Sequence, residues 1–206
     1  MLRALRHASI VAAVAVYAAP PRALAEPACD AALAALTDLF SGTHGPTALD
    51  GMGNLQRVRI VLNQAGPCLA RSYVGSPAEN RCGWIGVNAG RRITVVRPPG
   101  KQTLLALENS PVQDATRACP TLRHDTQTVL GWRAPSRKGV RLRPDGLYDY
   151  TTVGITFPVV SAAQGEAIAW AESQSGPLAG GGGFVLLRVD RKGRWRVAAR
   201  FPALVS

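Results

Sequence analysis

The sequence predicts an α+β fold in which an N-terminal helix packs on an antiparallel β-sheet that ends in a C-terminal meander. Three observations point there: helical apolar spacing over residues 30–40, strand-length apolar runs bounded by Gly and Pro through the middle, and a hairpin signal over residues 184–200. The chain has 206 residues, 47% of them hydrophobic and 18% charged, which excludes a disordered polymer and suits a single domain.

Residues 1–25 read as a signal peptide and 26–206 as the one α+β domain. Arg3 and Arg6 form a basic leader, residues 8–19 are an apolar stretch, and Pro20-Pro21-Arg22 precedes the small-residue pattern Ala23-Leu24-Ala25. Cleavage is expected after Ala25. The apolar stretch is 12 residues, well short of the ~20 that cross a bilayer. Cys29 is not a lipid-attachment site, because Glu26-Pro27-Ala28 precedes it in place of an apolar residue followed by small ones. Without the leader 181 residues remain, and the net charge falls from +11 to +8.

Leu33, Leu36 and Phe40 recur at helical spacing, alanines fill the gaps, Asp30 sits at the positive end, and Gly42 is the expected stop. That stripe is expected to face the sheet. Residues 41–53 are rich in Gly, Thr and Asp and read as a loop. Beyond it, residues 93–96 and 103–107 read as strands, 58–62 fits strand or helix, and 113–118 suits a helical turn. Prolines at 98, 99, 111, 120, 135 and 144 keep helices here short.

Residues 151–157 and 166–172 supply two further strands, and Gly180 to Gly183 a flexible connection. The last two strands flank Arg191-Lys192-Gly193, with Gly where a three-residue loop needs positive φ. If Asp190 faces Arg194, then Val189 faces Trp195, Leu187 faces Val197 and Val185 faces Ala199, giving one apolar face. Arg188 then faces Arg196 on the other side, with Arg194 and Arg200 alongside.

The order Thr152-Val153-Gly154-Ile155, Glu166-Ala167-Ile168-Ala169-Trp170-Ala171, the Gly-rich turn Ser175-Gly176-Pro177-Leu178-Ala179-Gly180, Gly182-Gly183-Phe184-Val185-Leu186-Leu187 and Lys192-Gly193-Arg194-Trp195-Arg196-Val197 resembles a pattern recurring in uncharacterised secreted bacterial proteins. The resemblance covers about residues 150–200. It departs at Ile155, where that pattern has Phe, and at the Gly-rich turn, which lacks cysteine here. It implies a strand order and an exported bacterial setting, with no activity attached.

Cys29, Cys68, Cys82 and Cys119 form an even set without a CxxC pair, so two disulfides are expected. Three connectivities are open, and Cys68–Cys82 with Cys29–Cys119 is favoured because the first closes the shortest loop, across Val74-Gly75-Ser76-Pro77. Glu166 and Glu172 share a strand face but stand six residues apart, roughly 20 Å along a strand, against the ~5–9.5 Å that glycoside hydrolysis requires. Asp145 and Asp149 read as solvated turn acids. Gly180 to Gly183 precedes a strand and not a helix, so it is no phosphate cradle. Only His44 and His124 remain as bases beyond the leader, with no Gly-x-Ser-x-Gly elbow and no metal-ligand cluster.

Basic stretches remain. Residues 133–143 carry five Lys/Arg and no acid, and residues 188–200 carry six with only Asp190. With 21 Arg against 3 Lys, genome composition accounts for part of this bias. The leading expectation is a periplasmic or secreted, non-enzymatic module that binds an anionic envelope component through Arg188, Arg194, Arg196 and Arg200. Two alternatives stand beside it: a hydrolase of envelope material using His44 or His124, and an inhibitor or scaffold of another envelope protein. No cofactor, no nucleic acid and no transmembrane segment in the mature chain are expected.

Overall fold

A computed structural model describes residues 22–41, 46–71, 82–86, 96–133 and 141–205. Among these residues seven strands, β1 (Thr47–Leu49), β2 (Ile85–Gly86), β3 (Thr151–Ile155), β4 (Val159–Ser161), β5 (Glu166–Gly176), β6 (Ala179–Val189) and β7 (Trp195–Val205), form one sheet. Their order is β1-β3-β5-β6-β7-β2, with β4 also paired to β5. Every pairing is antiparallel except β1 with β3. The class is α+β, and β5-β6-β7 is the expected C-terminal meander.

Helices cover both faces of this sheet, where the sequence predicts a helix on one. α1 (Arg22–Phe40), α4 (Ala115–Ala118) and α5 (Leu122–Leu130) lie on one side, and α2 (Leu55–Ala65) and α3 (Lys101–Asn109) lie on the other. The cause is visible in alternate residues of β5. Ala167, Ala169 and Ala171 face α1, which meets them with Ala31, Ala32, Ala35 and Leu36, all fully buried. Small side chains on both partners let helix and sheet approach closely. On the other face Ile168 and Trp170 join Phe184 and Leu186 beneath Val58, Leu62 and Leu107. Trp170 and Phe184 meet edge to face at 5.2 Å, a geometry worth ~0.5–1.5 kcal/mol beyond burial.

Several elements differ from expectation. The buried face of α1 is its alanine stripe with Leu36, while Leu33 and Phe40 are only half-buried; close packing on an alanine-lined strand selects the small residues. Residues 41–53 contain β1, which pairs with β3 and is buried throughout. Residues 103–107 lie in helix α3, where Thr103 and Leu107, four apart, are the buried pair. Residues 58–62 are helical in α2. Helix α5 went unanticipated: Leu122 and Thr126 are buried at helical spacing, and Gly131, at φ 68°, ends the helix with its N–H on Gln127 and Thr126 carbonyls. The helical turn expected over 113–118 is present as α4. Gly42, the 74–77 turn and residues 93–95 lie outside the described residues.

Gly180 to Gly183 is strand and not a connection, paired residue for residue with Gln174 to Ala171 of β5. At Gly183 the β7 backbone comes in so closely that a Cβ would collide with the Phe201 carbonyl and reach Pro202 Cα at 3.0 Å. Gly183→Ala is therefore expected to cost ~1–3 kcal/mol by overpacking. A Cβ on Gly53 meets nothing within 4 Å, so Gly53→Ala is the control, and urea midpoints for the two variants should separate clearly.

The disulfides are Cys29–Cys119 and Cys68–Cys82, the favoured pairing. Cys29–Cys119 ties α1 to the end of α4, inside the core beneath the sheet. Among the described residues no helix is long and apolar enough to cross a membrane.

Candidate functional site

The structure divides the four arginines singled out in the sequence. Val189, Arg188 and Leu187 pair with Trp195, Arg196 and Val197 as expected, but Leu186 then pairs with Ala199 and Val185 with Arg200. Ala198 is the extra residue of a β-bulge, which turns the side chains from Ala199 to Pro202 to the face opposite the expected one. Phe201 thereby reaches Trp84, 5.7 Å away on the α2 side. Arg200 lands on the α1 side beside Leu39 and Phe40. Burial lowers its guanidinium pKa, with Asp38 acting in the other direction. Asp38 Oδ2 also accepts the Val197 N–H at 3.0 Å, so α1 takes up a backbone donor next to the bulge.

Arg188 is committed to the fold. Its Nε donates to Glu166 Oε1 at 3.0 Å, and its NH2 donates to the Arg97 and Pro98 carbonyls at 2.9 and 3.2 Å. Glu166 has no exposure and also accepts from Arg97 NH2, Gly100 N and Thr103 Oγ1 at 3.1, 2.7 and 3.0 Å. Burial alone would raise its carboxyl pKa. The Gly100 N–H, Arg188 and Thr103 outweigh that and hold it below the ordinary value.

The hairpin tip has a different character. Asp190 Oδ1 accepts the backbone N–H groups of Lys192 and Arg194 at 2.8 and 3.0 Å and shapes the turn. Those bonds, the Arg194 backbone N–H first among them, hold its carboxyl pKa below the usual range. Its Oδ2 serves two guanidinium groups, Arg194 at 3.2 Å and Arg196 at 3.6 Å, whose side chains stay 56% and 52% exposed. Arg191 and Lys192 are exposed beside them. Two guanidinium groups thus flank one carboxylate, and two further cations stand exposed on the same turn.

Between this tip and α1 runs an open groove of about 760 Å³, with Glu26, Asp30 and Asp38 on the helix side and Arg194, Trp195 and Arg196 on the hairpin side. A second, polar cleft of about 380 Å³ lies toward the other end of β5, where β3, β5 and β6 carry Gly154, Glu172 and Gly182 in register. Its wall is the segment after β1, with Asp50, Asn54 and Arg57. Glu172 was visible in the sequence only as half of a carboxylate pair set too far apart. Its shared strand face with Glu166 holds.

No protein family, curated protein or solved structure matches the chain.

His124 stands exposed on α5, where its neighbours serve the fold: Arg123 NH1 donates to the Leu49 carbonyl and Thr126 Oγ1 to the Arg123 carbonyl. His44 and most of the basic stretch 133–143 lie outside the described residues. Among the described residues no three His, Cys, Asp or Glu side chains gather at metal-binding distance.

Proposed function

We propose that this chain is an exported, periplasmic or secreted, non-catalytic module that binds an anionic envelope component through the tip of the β6–β7 hairpin. The observation that carries this is the set of exposed cations Arg191, Lys192, Arg194 and Arg196 beside the single carboxylate of Asp190. Four cations against Asp190 leave this tip a local excess of three positive charges, with Glu26, Asp30 and Asp38 confined to the α1 side of the adjoining groove, and such an excess attracts phosphate- or carboxylate-bearing surfaces over a Debye length. Arg194 and Arg196 remain from the sequence expectation. Arg188 is held by Glu166 and Arg200 faces α1, so Arg191 and Lys192 take their place.

Two observations favour export. Both disulfides suit an oxidising compartment. Pro27 lies inside α1, and cleavage after Ala25 would put it in the first helical turn, where its missing N–H leaves no bond unmade. The secreted bacterial setting that the C-terminal pattern resembles agrees with this.

The test is binding of the folded protein to vesicles carrying lipopolysaccharide, measured across salt concentrations. Each basic residue near an anionic surface is worth ~1 kcal/mol, so R191Q/K192Q/R194Q/R196Q is expected to weaken binding by roughly two to three orders of magnitude and flatten its salt dependence. Arg200→Gln removes charge from the other face and should change little. Unchanged binding by the quadruple variant would overturn the proposal.

A further inference from the structure

Glu166 and Glu172 lie on the same face of β5, six residues apart, in opposite circumstances. Glu166 receives hydrogen bonds from four residues, Arg97, Gly100, Thr103 and Arg188. Glu172, half-buried, receives one: Trp170 Nε1–H donates to its Oε2 at 3.0 Å, and it accepts no other hydrogen bond among the described residues. A carboxylate accepts about four hydrogen bonds, so Glu172 keeps most of its acceptor capacity where it lines the 380 Å³ cleft.

The cleft wall is fixed in place. Asp50 N–H donates to the Val153 carbonyl at 2.8 Å, and Met52 N–H donates to the buried Asp114 Oδ2 at 3.2 Å. Met52 covers Gly154, where a Cβ would stand 2.6 Å from its sulfur, and Trp170 covers Gly182 in the same way at 2.7 Å. These two glycines flank Glu172 and let Met52 and Trp170 close in on either side of it. Asn54 Oδ1 accepts the Arg57 backbone N–H at 2.9 Å, which sets the first turn of α2 and carries Arg57 to the cleft. The Arg57 guanidinium has no hydrogen bond or ion pair among the described residues.

We infer that this cleft binds a small zwitterion, with its ammonium group on Glu172 and its carboxylate on Arg57. An underused carboxylate and an unpartnered guanidinium in one small cleft complement a free amino acid or a short peptide, and the volume lies within the range of small-molecule sites. Asp50 at the rim adds to the attraction for the ammonium end. The site is separate from the hairpin tip and stands independently of the function proposed there.

The probes are alanine and alanyl-alanine, which distinguish a single amino acid from a peptide, with N-acetyl-alanyl-alanine lacking the ammonium and alanyl-alanine amide lacking the carboxylate. Calorimetric titration is expected to show one-to-one binding of alanine or alanyl-alanine, and each blocked form about tenfold or more weaker, as for loss of a charge-assisted hydrogen bond. Glu172→Gln keeps an acceptor for Trp170 and should abolish the preference over the N-acetyl form. Arg57→Gln should abolish the preference over the amide. Gly53→Phe has room for its Cβ at the cleft and should block both zwitterions. Absence of binding by both zwitterions, or equal binding by the wild type and Glu172→Gln, would overturn the inference.

Discussion

Replacing Cys29 and Cys119 together by alanine is expected to cost about 4–5 kcal/mol, because the cross-link closes a long loop and its removal frees the unfolded chain. The two residues are 90 apart in sequence, against 14 for Cys68 and Cys82, whose removal should cost about 3 kcal/mol on the same account. Position reinforces length. Cys119 is 1% exposed, and α1, which Cys29 anchors, is the principal cover of the alanine-lined face of β5. Alanine is the right replacement there, since serine would bury a hydroxyl. Urea unfolding without reductant should give a lower midpoint for C29A/C119A than for C68A/C82A; the reverse order would place the main constraint at the shorter loop.

The elements legible in the sequence are those whose pattern is local. The β6–β7 turn announces itself through Gly193, at φ 77°, between two apolar runs, and the pairing follows from it as far as Leu187 and Val197. Beyond that point register depends on Trp84 and Phe201, residues that no local pattern connects. The second helical layer was also within reach. Phe184-Val185-Leu186-Leu187 and Ala167-Ile168-Ala169-Trp170-Ala171 are continuous apolar runs, and a strand with one solvated face would alternate with polar residues. Both runs are buried on both sides. Their unbroken character was a signal for helices on each face, and α3 and α5 are what two half-apolar stretches become when such a sheet must be covered.

The candidate sites were less legible because charge runs do not state which side chains are neutralised. Six Lys/Arg between residues 188 and 200 look equivalent in the sequence. Their fates differ through partners far along the chain: Glu166 lies 22 residues before Arg188, and Asp38 is separated from Val197 by 159. The bulge at Ala198 answers to packing and not to charge. Glu172 shows the same limit, since only tertiary structure separates a carboxylate with one donor from its fully bonded neighbour on β5.

Glu166→Ala is expected to destabilise the domain by ~3–5 kcal/mol, the cost of breaking a buried ion pair by removing one partner, which for a domain this size lowers Tm by roughly 10 °C. The carboxylate joins three segments: Arg188 on β6, the Arg97–Gly100 approach to α3, and Thr103 on α3 itself. Its loss leaves the Arg188 Nε–H and the Gly100 N–H without their acceptor, while the Thr103 hydroxyl keeps Gln164 Oε1 at 2.6 Å and Arg188 NH2 keeps the Arg97 and Pro98 carbonyls. Glu166→Gln keeps the shape and one acceptor, so it should cost less, and its difference from alanine measures the network apart from the charge. Acid provides the independent check. Because the folded carboxyl titrates below its ordinary value of 4.5, the ionised form contributes stability that is complete above that value and disappears as pH falls through the lower, folded one. The wild type should therefore lose stability faster than Glu166→Gln as pH drops below 4.5, and the two urea-midpoint curves should converge. Parallel curves would mean that the hydrogen bonds from Gly100 and Thr103, and not the charge on Glu166, hold α3 to the sheet.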